Sequence, residues 1–191
     1  MQVLRDHFEK LISLTDTEFA DVMQYFKSRR ILKKQFLLQE GDAVSYEYFV
    51  VSGCLKAYVL DEEEKPHILQ FAMEDWWTTD YQALYTGIPA RVFLEAVENT
   101  EVLCITKADK DKICAEMHKM EHFFRIKNQH GYIGLQQRIL SMLTNNAKDR
   151  YEQLIKQYPA LIQRVPKHDL AAFLGVSRET LSRLYSRSKE M

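Results

Sequence analysis

The chain has no apolar run approaching the roughly twenty residues that a membrane-spanning helix needs. Its first residues, MQVLRDHFEKLISLTDTEF, scatter charges among apolar positions and lack the pattern of a secretory signal. Cysteine is scarce: Cys54, Cys104 and Cys114 are odd in number and share no metal-like spacing. They suit reduced cytoplasmic thiols better than a disulfide framework. No repeat longer than a hairpin and no low-complexity linker is visible. The β-rich stretch holds a single histidine, His67, where a metalloenzyme barrel needs several converging with a carboxylate. His118 and His122 stand four apart on a helical segment without a third ligand. No metal site and no catalytic constellation is expected, so the chain does not read as an enzyme.

What is present is an ordered globular composition: 191 residues, 46% hydrophobic and 28% charged, enough for one large or two small domains. The net charge of −1 is unevenly spread. Residues 147–191 carry nine Lys/Arg against five Asp/Glu, a +4 tail on a body of −5. A basic tail on an acidic body places positive charge where a phosphate backbone would want it.

Three textures follow one another. From Val3 to Arg30, Leu4, Phe8, Leu11, Ile12 and then Phe19, Val22, Met23, Phe26 recur at helical spacing, with Thr15 or Asp16 as a cap. From Ile31 to about Thr106, short β-rich runs alternate with turn signals, the texture of a barrel or sandwich. Helix then returns at Lys107 to Glu116 and at about Lys119 to Asn145. In the longer helix Phe123, Ile126, His130, Ile133, Gln137 and Leu140 form a seam suited to a dimer axis. Ala147 to Gln157 reads as a further helix ended by Tyr158–Pro159, and Leu161 to Val165 as a short strand.

The most informative stretch is DLAAFLGVSRETLSRLYSR, Asp169 to Arg187. Around Gly175, apolar Leu170, Leu174, Val176, Leu181 and Leu184 stand where two short crossing helices must pack, and glycine relieves the turn between them. Ser177 suits an N-cap, and the helix that follows presents Arg178, Glu179 and Thr180, with Arg183 one turn later. Such side chains can read base edges in a major groove.

The order of these parts resembles the Crp–Fnr superfamily of bacterial transcription regulators. The resemblance rests on Gln39–Glu40–Gly41–Asp42, Tyr48–Phe49–Val50–Val51–Ser52–Gly53, Gln137–Arg138–Ile139–Leu140–Ser141–Met142–Leu143 and, most closely, Leu174 to Arg183. It implies an α+β fold: an N-terminal antiparallel, jelly-roll-like β-roll with flanking helices, a long dimerisation helix, and a C-terminal helical helix-turn-helix domain. The expected domains are 1–118, a cyclic-nucleotide-binding-like sensor; 119–145, the dimerisation helix; and 146–191, the DNA-binding domain. By the same resemblance Arg178, Glu179 and Arg183 contact bases, while Ser177, Thr180, Ser182 and Lys189 are placed for phosphates. The implied partners are double-stranded DNA in an inverted-repeat operator, a second copy of the chain, RNA polymerase and a small-molecule effector of unknown identity. A sensor module acting through protein contacts is the alternative reading.

The chain departs from the family in two places. Cyclic-AMP-binding members hold the phosphate with a Gly–Glu pair and a later Arg–Ser pair; here Thr78–Thr79 and Ala90–Arg91 stand at those places. Without glycine the backbone approaches a phosphate less readily, so cyclic AMP is not the expected effector and no cofactor is assigned. Trp76, Trp77, Thr78, Thr79 and Arg91 are the candidate effector pocket. Only Ser188 to Met191 follow the recognition helix, so a wing is expected upstream, around Leu161 to Pro166.

Overall fold

The computed structural model describes residues 1–187. Helices α1 (Gln2–Glu9) and α2 (Asp16–Met23) open the chain. A reciprocal box starts α2: the Glu18 amide donates to Thr15 Oγ1 at 3.2 Å, and the Thr15 amide donates to the Glu18 carboxylate at 2.8 Å. The helical periodicity expected as far as Arg30 ends sooner, because β1 (Lys27–Ile31) is a strand. Its first four residues are exposed and mostly charged, so nothing local marks it; antiparallel pairing with β8 (Thr100–Thr106), from Lys27 opposite Cys104 to Ile31 opposite Thr100, makes it one.

Between these lie β2 (Phe36–Leu38), β3 (Tyr46–Ser52), β4 (Leu55–Leu60), β5 (Pro66–Ala72), β6 (Trp77–Thr78), the short helix α3 (Tyr81–Thr86) and β7 (Phe93–Ala96). They form two four-stranded sheets, ordered β1-β8-β3-β6 and β2-β7-β4-β5. The expected β-roll is present. Its interior is lined from both sheets: Tyr48 and Val50 of β3, Val102 and Cys104 of β8, Leu55 of β4 and Leu94 of β7. The alternate residues of the same two strands, Phe49, Leu103 and Ile105, face a second cluster beneath the helices. There they meet Leu4 and Phe8 of α1, Ile113 of α4 (Lys107–Glu116), and Met120, Phe123 and Phe124 of α5 (His118–Thr144). Strands β3 and β8 are therefore buried on both faces, which accounts for their nearly unbroken apolar runs. Phe123, expected in a dimer seam, is instead fully buried in this core.

The chain divides into two compact units, 1–57 with 71–129, and 58–70 with 130–191. The second contains the rest of α5, then α6 (Ala147–Gln157), α7 (Pro159–Arg164), α8 (Lys167–Leu174) and α9 (Arg178–Arg187).

One buried polar group ties the first unit together. His7 is 1% exposed and accepts a hydrogen bond at Nε2 from Trp77 Nε1, 3.0 Å away. That leaves its proton on Nδ1, donated to the Asp75 carboxylate, which Lys10 also holds. Burial, with Lys127 adding to it, lowers the His7 pKa to about 4. The unfolded chain takes up this proton near pH 6.5 and the folded chain only near 4, so stability is constant above that window and falls as the pH drops through it. The loss should reach up to about 3 kcal/mol. Thermal melts of wild type and His7→Gln from pH 7 to 4 should show a shallower decline in the variant; equal slopes would remove His7 from the account.

Glycine is required at Gly53. Its φ is +99°, and an added Cβ would stand 2.4 Å from Thr100 Oγ1 and 2.7 Å from the Asn99 carbonyl oxygen. Gly41 has a similar φ of +90° but open space around it. Gly53→Ala should therefore cost well over the ~1–2 kcal/mol of a left-handed alanine alone, and Gly41→Ala about that much. Chemical denaturation of the two variants tests the order; equal losses would show that the contacts at Gly53 relax freely.

Candidate nucleic-acid interface

Helix α8 ends at Gly175, which takes the left-handed conformation (φ 65°, ψ 39°). The Val176 amide donates to the Ala171 carbonyl at 3.0 Å and the Gly175 amide to Ala172 at 3.4 Å, the paired bonds of a glycine-terminated helix. The chain then turns into α9, started by Ser177: its hydroxyl oxygen accepts from the Thr180 amide at 3.2 Å. Leu170, Ala171 and Leu174 of α8 and Leu181 of α9 are buried, together with Tyr151 and Leu154 of α6 and Leu161 and Val165. Val176 and Leu184 are half-buried. The crossing of two helices around a glycine, expected from the spacing, is what the structure contains.

Burying Leu181 turns the other side of α9 outward. Ser177, Arg178, Glu179, Ser182 and Arg183 are exposed and Thr180 is half-buried. Lys189 lies outside the described residues. The Glu179 carboxyl is held below its usual pKa first by its own backbone N–H and then by the Ser177 hydroxyl, with Arg178 and Arg183 adding to the effect. It is thus an ionised acceptor, flanked by two guanidiniums, on the first turns of a helix. This set can donate to guanine and accept from cytosine N4.

Two arginines that the sequence reading did not single out fix this pair of helices. Arg138 of α5 donates to the Phe173 carbonyl at 2.9 Å and to the Ile68 carbonyl of β5 at 2.8 Å, and its guanidinium lies 3.7 Å from the centre of the Phe173 ring. Burial, and secondarily Arg150, lowers its pKa to about 10, so it stays charged at neutral pH. Arg150 of α6 donates to the Leu174 carbonyl at 3.1 Å and to Asn145 at 2.7 Å. Both cations thus close the last carbonyls of α8, where the helix dipole is negative. No periodicity reveals such bonds, because they join residues far apart in the chain.

The wing expected at Leu161 to Pro166 is not a strand. Residues 159–164 form α7, with Pro159 at its first position and Leu161 buried, and the buried, extended Val165 follows it. Among the described residues after α5 there is no strand.

The candidate effector residues are dispersed. Trp76 packs against the interior of the β-roll, Trp77 against the cluster beneath the helices. Thr78 and Thr79 are buried, the Thr79 hydroxyl donating to the Tyr46 carbonyl at 2.8 Å, and Arg91 is exposed.

The cyclic nucleotide-binding domain model matches residues 28–117. Over 177 residues the chain is 25% identical to the anaerobic regulatory protein of Haemophilus influenzae, spanning 86% of this chain and 68% of that one. Over 187 residues it is 23% identical to the fumarate and nitrate reduction regulatory protein of Vibrio cholerae, spanning 92% and 74%. Its fold is similar to that of FixK2 from Bradyrhizobium japonicum, with a TM-score of 0.73 at 18% identity over 85% of this chain and 83% of that one. Among the described residues no helix is long and apolar enough to cross a membrane.

Arg138→Ala should loosen the α8–α9 pair by about 1–3 kcal/mol, since it removes two charge-assisted hydrogen bonds and a stacked ring contact. Amide hydrogen exchange at Val176 and Leu181 should accelerate, while Phe49 and Leu103 in the β-roll keep their protection. Unchanged exchange at Val176 would show that Arg138 does not hold the turn.

Proposed function

We propose that this chain, which is of the Crp–Fnr type of transcription regulator, binds double-stranded DNA as a homodimer and reads an inverted repeat with the first turns of α9. The observation that carries this is the presentation of Arg178, Glu179 and Arg183 on the exposed side of a serine-capped helix whose other side is packed on α8. In this reading the three side chains address base edges, and Ser177, Thr180, Ser182 and Lys189 address phosphates.

The dimer reading is supported by the latter part of α5. Tyr132, Ile133, Leu135, Ile139, Leu140 and Leu143 are exposed, Leu143 at 78%. An added Cβ at Gly131 or Gly134 would meet nothing within 4 Å. A run of large apolar side chains in water is costly, and a second copy of the helix would cover it. Two copies of α9 would then enter successive major grooves about one turn apart. The relatives are named as regulatory proteins, which favours a cytoplasmic regulator that meets RNA polymerase over an enzyme.

Selection and sequencing of random duplex DNA on the purified chain, without added ligand and at stated salt, tests the reading. An enriched inverted repeat is expected. Salt-sensitive binding with no enriched sequence, in buffer and again with cell extract, would overturn it. Within an enriched site, Glu179→Ala should relax the preference at one base pair in each half, by about 1–3 kcal/mol, and leave non-specific affinity nearly intact.

A further inference from the structure

The loop between α3 and β7 contains a small anion cradle, and the chain fills it itself. Asp80, just before α3, is 6% exposed. One oxygen of its carboxylate accepts from the Ala83 amide at 3.0 Å; the other accepts from the amides of Arg91 at 2.9 Å and Val92 at 3.2 Å. Converging backbone N–H groups of this kind make a concavity that favours negative charge. The far side of the loop is pinned as well: the Ala90 amide donates to the Asp42 carbonyl at 2.8 Å, and the Gly41 amide donates to the Ala90 carbonyl at 2.8 Å. The loop is therefore stretched between a turn on one side and a buried carboxylate on the other.

We propose that Asp80 is a built-in anion of this cyclic-nucleotide-type domain: it occupies the amides of Arg91 and Val92 and closes the loop to phosphate-bearing effectors. A phosphate brought to the same amides would have to displace the carboxylate or be buried beside it, and two like charges sharing one buried site are strongly disfavoured. Neither Arg91 nor Val92 is glycine, so their side chains also crowd the approach. An effector of this domain therefore brings no anionic group to the Arg91 and Val92 amides. The inference rests on the assignment of residues 28–117 to the cyclic nucleotide-binding fold. It does not need the chain to bind DNA.

The experiment uses the full chain as wild type, Asp80→Ala and Asp80→Asn, with cyclic AMP, inorganic phosphate and formate as probes. Wild type should give no heat with cyclic AMP or phosphate by calorimetry, and neither should shift its melting temperature beyond a chloride control of equal ionic strength. Asp80→Ala should melt lower, and formate, a free carboxylate, should restore part of the loss saturably. Saturable binding of cyclic AMP or phosphate to wild type would overturn the proposal, as would an Asp80→Ala protein indifferent to formate. Should the alanine variant not fold, Asp80→Asn decides in its place. It keeps the shape but sets an NH2 group where the amides need an acceptor, so it should melt lower than wild type; unchanged melting would count against the carboxylate. No arm contains DNA, so the result stands apart from the operator selection.

Discussion

The structure depends on two strands that are buried on both faces. In β3 and β8, Tyr48, Val50, Val102 and Cys104 point into the β-roll, while Phe49, Leu103 and Ile105 point under the helices. A single antiparallel pair thus serves two cores, because successive side chains of a strand face opposite sides. A one-residue slip would exchange the two sets, so the register is fixed by both cores at once. The edges of the sheet, the N-terminal helices and the start of α5 all take their places from this pair.

Polar groups buried around that pair act as fasteners. His7 joins α1 to Trp77 and Asp75 through a neutral ring with one donor and one acceptor, both used. Lys110 of α4 and Glu47 of β3 form a buried ion pair at 2.6 Å, and Glu47 also accepts from the Tyr81 hydroxyl at 3.0 Å. Losing one member would strand a charge in a dry site, so the cost of a mismatch is large even though the net gain of the pair is small. Asp80 belongs to the same class: a buried charge satisfied wholly by backbone, whose side chain sets the shape of a loop.

In the second unit the same economy of contacts operates at the end of α8. A glycine in the left-handed region, two guanidiniums on the last carbonyls, and Leu181 in the core together fix the angle of α9. Arg178, Glu179 and Arg183 stay exposed on the other side of α9 while Leu181 is buried, which is the arrangement the proposed reading of DNA by this helix requires.

The sequence by itself determined the parts whose physics is local. The spacing of Leu170, Leu174 and Leu181 about Gly175 specified the crossed helices, and Ser177 marked where α9 begins. Thr15 or Asp16 announced a helix start, and the apolar runs ended by turn residues announced a barrel or sandwich. Tertiary structure decided what depends on partners far along the chain. The exposed, charged residues of β1 become a strand only because β8 offers an edge. Residues 159–164 become helix, opened by Pro159 and with Leu161 buried, although a short apolar run reads equally well as strand. Phe123 leaves a heptad seam for the core because the rings of His7 and Phe8 meet it there. No local pattern gave Arg138 or Asp80 its structural role, since a side chain that satisfies distant backbone leaves no period behind it. Periodicity reports which face is apolar; only the fold reports which backbone groups are left needing a partner.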